Sequence, residues 1–150
     1  MTIKHSNSPA GTQRSARLLA KKLTKKKLRQ QGALILALTG DLGSGKTTFV
    51  QGFLRGLGVR GRITSPTFVL MKNYKLKTIN YKLARHIDCY RVRKPSELIK
   101  LGIKEILSNP QNIVLIEWAE KIKKILPKNT IWLKFDHGEK ENQRTIRIFV

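Results

Sequence analysis

Apolar residues along the chain alternate between two periods, and the switch points mark its elements. Ser8-Pro9 reads as an N-cap followed by a first-turn proline, and Ala16, Leu19, Ala20 and Leu23 then recur at helical spacing until Gly32. "ALILALT", residues 33–39, is apolar almost throughout, as a central strand covered on both faces requires. After a glycine-rich loop, Phe49, Val50, Phe53, Leu54 and Leu57 return to helical spacing, and Gly58 ends that helix. "RGRITSP", residues 60–66, reads as a loop. "TFVLMKNY" and "YKLARHIDCYRV" follow as two strands able to pair as a hairpin around "KLKTIN".

Short helices are predicted in "KPSELIKLGIKEILSNP", bounded by Pro95 and by Asn109-Pro110. "NIVLIEW", residues 112–118, is a second buried strand that ends on an acid, and "AEKIKKIL" is a short helix closed by Pro127. "TIWLKFDH" and "TIRIFV" alternate apolar and polar positions, as a half-covered antiparallel pair does. No internal repeat or low-complexity linker interrupts this order. The pattern predicts one α/β domain with a mixed sheet over residues 1–150, with about residues 1–8 a flexible N-terminal tail.

At 150 residues the chain is long enough to bury a single core without staples. Its one cysteine, Cys89, excludes an internal disulfide framework and an all-cysteine metal site. A reducing, cytoplasmic setting is the expectation. No apolar run approaches the ~20 residues of a membrane span, so no membrane partner is expected. Formal net charge is +22, from 31 Lys and Arg against 9 Asp and Glu. Such an excess points to an anionic partner such as RNA, or to a general drift toward lysine. Only "KKLTKKKLR", residues 21–29, forms a patch in sequence.

The chemistry concentrates in "TGDLGSGKTTF". Gly40 to Thr47 fits the phosphate-cradling pattern G-x-x-x-x-G-K-[ST], set between a predicted strand and a predicted helix as that pattern needs. Glycines 40, 43 and 45 let the backbone turn tightly and approach phosphates, and the amides of Leu42 through Thr48 can then point inward at a helix N-terminus. Lys46 would reach the β- and γ-phosphates and the Thr47 hydroxyl would ligate Mg²⁺. Such a loop needs an acid at the end of a neighbouring buried strand. Glu117 and Asp88 both stand at such ends, and either could orient the metal or the attacking water.

Between loop and acids lies "ITSPT", either a hydroxyl-rich sensor of the γ-phosphate or a Ser-Pro turn that starts a strand. Trp118 could stack near a nucleotide or fill the core. His86 has no partner at metal-ligand spacing and reads as a structural strand residue. Cys89 reads as a small buried apolar side chain.

The segments "TGDLGSGKTTFVQGFLRGLG", "ITSPTFVLMKNY", "HIDCYR", "SELIKLGIKEIL" and "LIEWAEKI", in this order and spacing, resemble the TsaE (YjeE) family of tRNA threonylcarbamoyladenosine biosynthesis proteins. The resemblance runs from about residue 12 to the last strand. It implies a P-loop NTPase-like three-layer domain, with helices on both faces of a partly parallel sheet. It further implies a weak, partner-dependent ATPase that acts with the TsaB–TsaD transferase complex and so serves tRNA indirectly; the positive charge exceeds what the resemblance leads one to expect and raises direct contact with tRNA as well. ATP would be held by Asp41, Leu42, Gly43, Ser44, Gly45, Lys46, Thr47 and Thr48, with Thr64 of the switch-like loop and Trp118 lining the site. Thr47, Glu117 and Asp88 would form the Mg²⁺ side, and Lys46, Glu117 and Asp88 would carry the chemistry, Glu117 as the water-positioning group. Ser44 stands where the family usually has Ala, Cys89 replaces a larger apolar residue, and Ala119 replaces a proline; none removes a candidate catalytic group.

A small P-loop metabolite kinase is the alternative. Such kinases carry an arginine-bearing lid, and no arginine occurs between Arg93 and Arg144. An RNA-binding module that uses no nucleotide would leave the GKTT loop unexplained.

Overall fold

The computed structural model describes residues 1–25 and 31–150. Seven strands form one sheet in the spatial order β1-β7-β6-β2-β5-β4-β3. At its centre, β2 (Leu34–Thr39) runs parallel to both β5 (Asn112–Glu117) and β6 (Ile131–His137), and β5 runs parallel to β4 (Leu83–Asp88). Antiparallel pairs finish the two edges: β3 (Met71–Lys75) on β4, and β7 (Arg144–Phe149) between β6 and β1 (Thr2–Ser6). The two all-apolar segments are thus the central strands, every residue of β5 being buried.

Alternate side chains of the central strands feed two cores. Leu34, Leu36 and Leu38 face α1 (Pro9–Thr24) and α2 (Lys46–Gly56), where Phe49, Phe53 and Phe135 fill the layer. Ala33, Ile35 and Ala37 face α3 (Pro95–Ile99), α4 (Ile103–Ser108) and a 3-10 segment, Ala119–Ile125. The period of two along a strand therefore builds three layers from one sheet.

Helix α1 starts as predicted: the Ser8 hydroxyl accepts the Gly11 amide at 3.0 Å, with Pro9 in the first turn. The helix as described spans Pro9–Thr24, with Lys25 as its C-cap. Lys21–Lys25 of the basic run belong to its last turn and C-cap, and residues 26–30 lie outside the described residues. The contact between α1 and α2 is closed by glycine. A Cβ on Gly52 would lie 2.5 Å from Gln13 Cα, and one on Gly56 would lie 2.9 Å from Arg17 Cα.

Two expectations need correction. The expected N-terminal tail is instead edge strand β1, paired residue by residue with β7 from Thr2↔Ile148 to Ser6↔Arg144. Its unpaired amides and carbonyls find partners in a strand distant in sequence, and Ser6 anchors the turn by donating to the Ser8 carbonyl at 2.8 Å. The strand expected from Thr67 begins only at Met71, because residues 67–70 turn. The Val69 amide donates to the Pro66 carbonyl at 3.0 Å and Leu70 takes a left-handed φ of 64°.

Candidate active site

The site forms where β2, β4 and β5 end, the crevice at the carboxyl ends of parallel strands that open α/β sheets use for ligands. The parallel register sets Asp88 directly beside Glu117, and Glu117 beside Leu38 of β2. Both predicted acids thus stand side by side without any sequence proximity. Between them and the phosphate loop lies a cavity of about 470 Å³, lined by Leu42 to Thr48 on one side and by Ser65, Thr67, Asp88, Tyr90, Glu117 and Trp118 on the other.

Two glycines fix the loop. Gly40 passes so close to β6 that a Cβ would lie 2.4 Å from the Phe135 carbonyl oxygen. Gly45, at φ 96°, is the left-handed residue that turns the chain into α2. No side chain caps α2 and no acid occupies its first turn, so its leading amides face the cavity as an anion site.

Lys46 is buried under this loop. Its ammonium donates to the carbonyls of Gly40 at 2.6 Å and Asp41 at 2.8 Å, and to Ser44 Oγ at 3.4 Å. It also lies 4.1 Å from the centre of the Trp118 ring. Burial pushes its pKa below the ordinary lysine value, opposed by Glu117, Glu120, Asp88 and Asp41. Trp118 adopts φ 56° immediately after β5, which turns its ring into the cavity beside Tyr90, with ring centres 5.1 Å apart. Trp118 thus both lines the cavity and packs against the second core.

Glu117 is the hub. Thr47 Oγ1 donates toward its carboxylate, 2.9 Å from Oε2 and 3.1 Å from Oε1. On its other side, His86 Nε2 lies 2.7 Å from Oε1, with both side chains buried. A carboxylate oxygen accepts, so Nε2 carries the proton of this contact. The structural reading of His86 is correct, and its task is to hold the acid from behind. Asp88 is engaged differently: Oδ2 accepts from Ser65 Oγ at 3.1 Å and Thr67 Oγ1 at 3.0 Å, and Oδ1 accepts from the Tyr90 amide at 2.9 Å. It ties the hydroxyl-rich loop to the sheet.

The Thr47 hydroxyl and the Glu117 carboxylate are hard oxygen donors at the mouth of an anion-binding helix. That donor set fits Mg²⁺, which takes one or two carboxylates together with substrate phosphates and water. Among the described residues no group of three or more His, Cys, Asp or Glu could hold a metal without such help.

Two predicted binding residues stand off the cavity. Thr64 Oγ1 accepts from Lys72, and Ser65 and Thr67 of the same loop line the cavity in its place. Asp41 has an exposed side chain, and only its backbone carbonyl serves the site, accepting from Lys46 and from the Ser44 amide. Two contributors escaped the sequence reading, Tyr90 beside Trp118 in the cavity wall and Arg144. Arg144, at the start of β7, donates to the Gly43 carbonyl at 3.0 Å and pins the loop from the far end of the chain. No local pattern marks it.

Comparison with known proteins bears on family and fold. Residues 6–146 match the family model for threonylcarbamoyl adenosine biosynthesis protein TsaE. The tRNA threonylcarbamoyladenosine biosynthesis protein TsaE of Haemophilus influenzae is 40% identical over 111 residues, 74% of this chain and 68% of that protein. Its namesake from Bacillus subtilis is 38% identical over 112 residues, 74% of this chain and 67% of that protein. The crystal structure of Bacillus subtilis YdiB superposes with a TM-score of 0.73 at 29% identity, covering 97% of this chain and 82% of that one. Fold, loop and family model converge: the chain belongs to the TsaE family of threonylcarbamoyl adenosine biosynthesis proteins.

Proposed function

We propose that this chain is the ATP-hydrolysing subunit of tRNA threonylcarbamoyladenosine formation, binding ATP with Mg²⁺ at the end of β2 and acting with the TsaB–TsaD transferase in the cytoplasm. The observation that carries this reading is the meeting of Thr47 Oγ1 with Glu117 at 2.9 and 3.1 Å, beside a lysine buried under a phosphate-shaped loop. In it, a helix N-terminus, a metal-ligating hydroxyl and an acid converge on one point.

The chain's own groups divide the work. Amides of Leu42 to Thr48 donate hydrogen bonds to the phosphate oxygens, and Lys46 exchanges its carbonyl partners for the β- and γ-phosphates, a stronger charge-assisted pairing. Bound Mg²⁺ supplies neutralisation of charge on the transferring phosphoryl group. Glu117, braced by His86, orients a water for attack on the γ-phosphate. Asp88 holds Ser65 and Thr67 at the cavity wall, where the hydroxyls of that loop meet the γ-phosphate. Trp118 and Tyr90 shield the same side from solvent.

In this reading hydrolysis by the chain alone is weak, and the partners complete the site. Among the described residues no helix is long and apolar enough to cross a membrane. The kinase alternative has no observation in its favour. The deciding experiment measures ATP turnover by the purified chain alone, with TsaB and TsaD, and with tRNA added. Stimulation by the transferase supports the reading. Phosphorylation of a small metabolite by the chain alone would replace it with the kinase.

A further inference from the structure

Positive charge is spread evenly along the chain, but negative charge is not. Residues 1–87 contain 18 of the 31 Lys and Arg, and residues 88–150 contain the other 13, about one residue in five in both parts. Asp41 is the single acid among the first 87 residues, against eight in the remainder. A general drift toward lysine accounts for the even cations. It does not account for acids missing from one part.

The fold turns this linear asymmetry into a spatial one. Helices α1 and α2 cover one face of the sheet, and neither contains an Asp or Glu; α3, α4 and the 3-10 segment cover the other and carry Glu97, Glu105 and Glu120. Arg14, Arg17 and Lys21 are exposed along α1, and Arg55 and Arg60 are exposed at the end of α2. Arg55 is braced outward by the Val59 carbonyl at 3.0 Å and the Gly61 carbonyl at 2.5 Å, neutral partners that leave its charge uncancelled. Among the described residues the ion pairs are His86–Glu117, Lys134–Asp136 and Arg147–Asp136, none of them on α1 or α2. Helix α1 extends this field over about 24 Å, its 16 residues rising 1.5 Å each.

We propose that the α1–α2 face is a docking surface for the phosphate backbone of double-helical RNA. The function proposed above concerns the nucleotide cavity and does not depend on this face. An acidic protein partner would need an apolar or aromatic centre to bury, whereas phosphates require only placed cations. Leu18 is the one large apolar side chain exposed on the two helices; the apolar groove it borders, toward Ile146 and Ile148 of β7, is lined by none of Arg14, Arg17, Lys21, Arg55 and Arg60, and the exposed aromatics Phe68, Tyr90 and Phe149 all lie off the two helices. Without a stacking platform the face lacks what single-stranded RNA binding uses. A stiff ridge of cations suits the backbone of a duplex, which is recognised by shape and phosphate contact.

The test uses the full chain and a fluorescein-labelled RNA hairpin of about 16 base pairs, titrated by anisotropy at several salt concentrations. A double variant, Arg17→Glu with Lys21→Glu, is compared with Lys100→Glu with Lys104→Glu on the opposite face, an equal change in net charge. The first is expected to weaken hairpin binding about tenfold or more and to flatten the salt dependence by about two contacts. The second is expected to stay within about twofold of the parent chain. Circular dichroism and ATP binding should be unchanged in both, so loss of RNA binding is separable from failure of the nucleotide site. Equal losses in the two variants would reduce the effect to net charge and overturn the proposal. So would preference for a single-stranded RNA of the same length, or for an acidic polyglutamate peptide, over the hairpin.

Discussion

Thr47 Oγ1 bridges both oxygens of Glu117, at 2.9 and 3.1 Å, across 70 residues of sequence. The contact joins the first turn of the phosphate helix to the end of the strand beside β2. Glu117→Gln preserves shape and one acceptor but removes the charge that orients water and metal. Nucleotide binding is expected to stay within a few-fold of the parent chain, while partner-stimulated ATP turnover falls by about two orders of magnitude. Full turnover in that variant would move the water-positioning role to Asp88.

Lys46→Ala removes a charge-assisted contact of about 1.5–3 kcal/mol, so ATP affinity should fall by about one to two orders of magnitude. Equilibrium binding of a fluorescent ATP analogue measures it, and unchanged affinity would refute the site.

Burial lowers the Lys46 pKa below 10.5, and only the ammonium form binds phosphate. ATP affinity should therefore begin to fall with rising pH before an ordinary lysine titrates. Binding in that range should take up protons, because the phosphates restore the ammonium. Calorimetry in buffers of different ionisation enthalpy reads this uptake. For folding the sign is opposite to that of a lysine that gains a partner. The unfolded chain holds the proton more tightly, so the Lys46 contribution to stability improves as pH rises toward 10.5.

His86→Ala withdraws the donor 2.7 Å behind Glu117 and leaves a buried carboxylate oxygen short of a partner. A loss of about 1–3 kcal/mol is expected, visible as a lower denaturation midpoint. Addition of ATP and Mg²⁺ should recover part of it through linkage. A midpoint equal to that of the parent chain would show the brace to be dispensable.

Burial, with Asp88 adding to it, pushes the Cys89 thiol up to about 12. Native protein at pH 8 should resist iodoacetamide and react only on unfolding. Because the folded thiol ionises later than the unfolded one, its contribution to stability is complete below about 8.5 and is lost as pH climbs toward the folded value. Rapid labelling of the native chain would contradict the buried placement.

The sequence disclosed those features that depend on near neighbours. Strands β2 and β5 were legible because burial on both faces forces unbroken apolar runs. The phosphate loop was legible because only glycine allows its turns. Asp88 and Glu117 stood out as acids at the ends of such runs. What stayed hidden depends on register or on distant pairing. The His86–Glu117 contact exists because β4 and β5 align in parallel 31 residues apart. Strand β1 carries no clear period and is ordered by β7 from the opposite end of the chain. Whether Thr64 or its neighbours Ser65 and Thr67 face the cavity is set by the turn at Pro66, which spacing alone does not resolve.

The glycines of α2 have a mechanical consequence. With a would-be Cβ of Gly52 only 2.5 Å from Gln13 Cα, α1 rests on bare backbone at that crossing point, where no side chain of α2 holds the helices apart. The two helices are therefore expected to move as one unit, so that a shift of α1 carries with it the helix whose first turn holds Lys46 and Thr47.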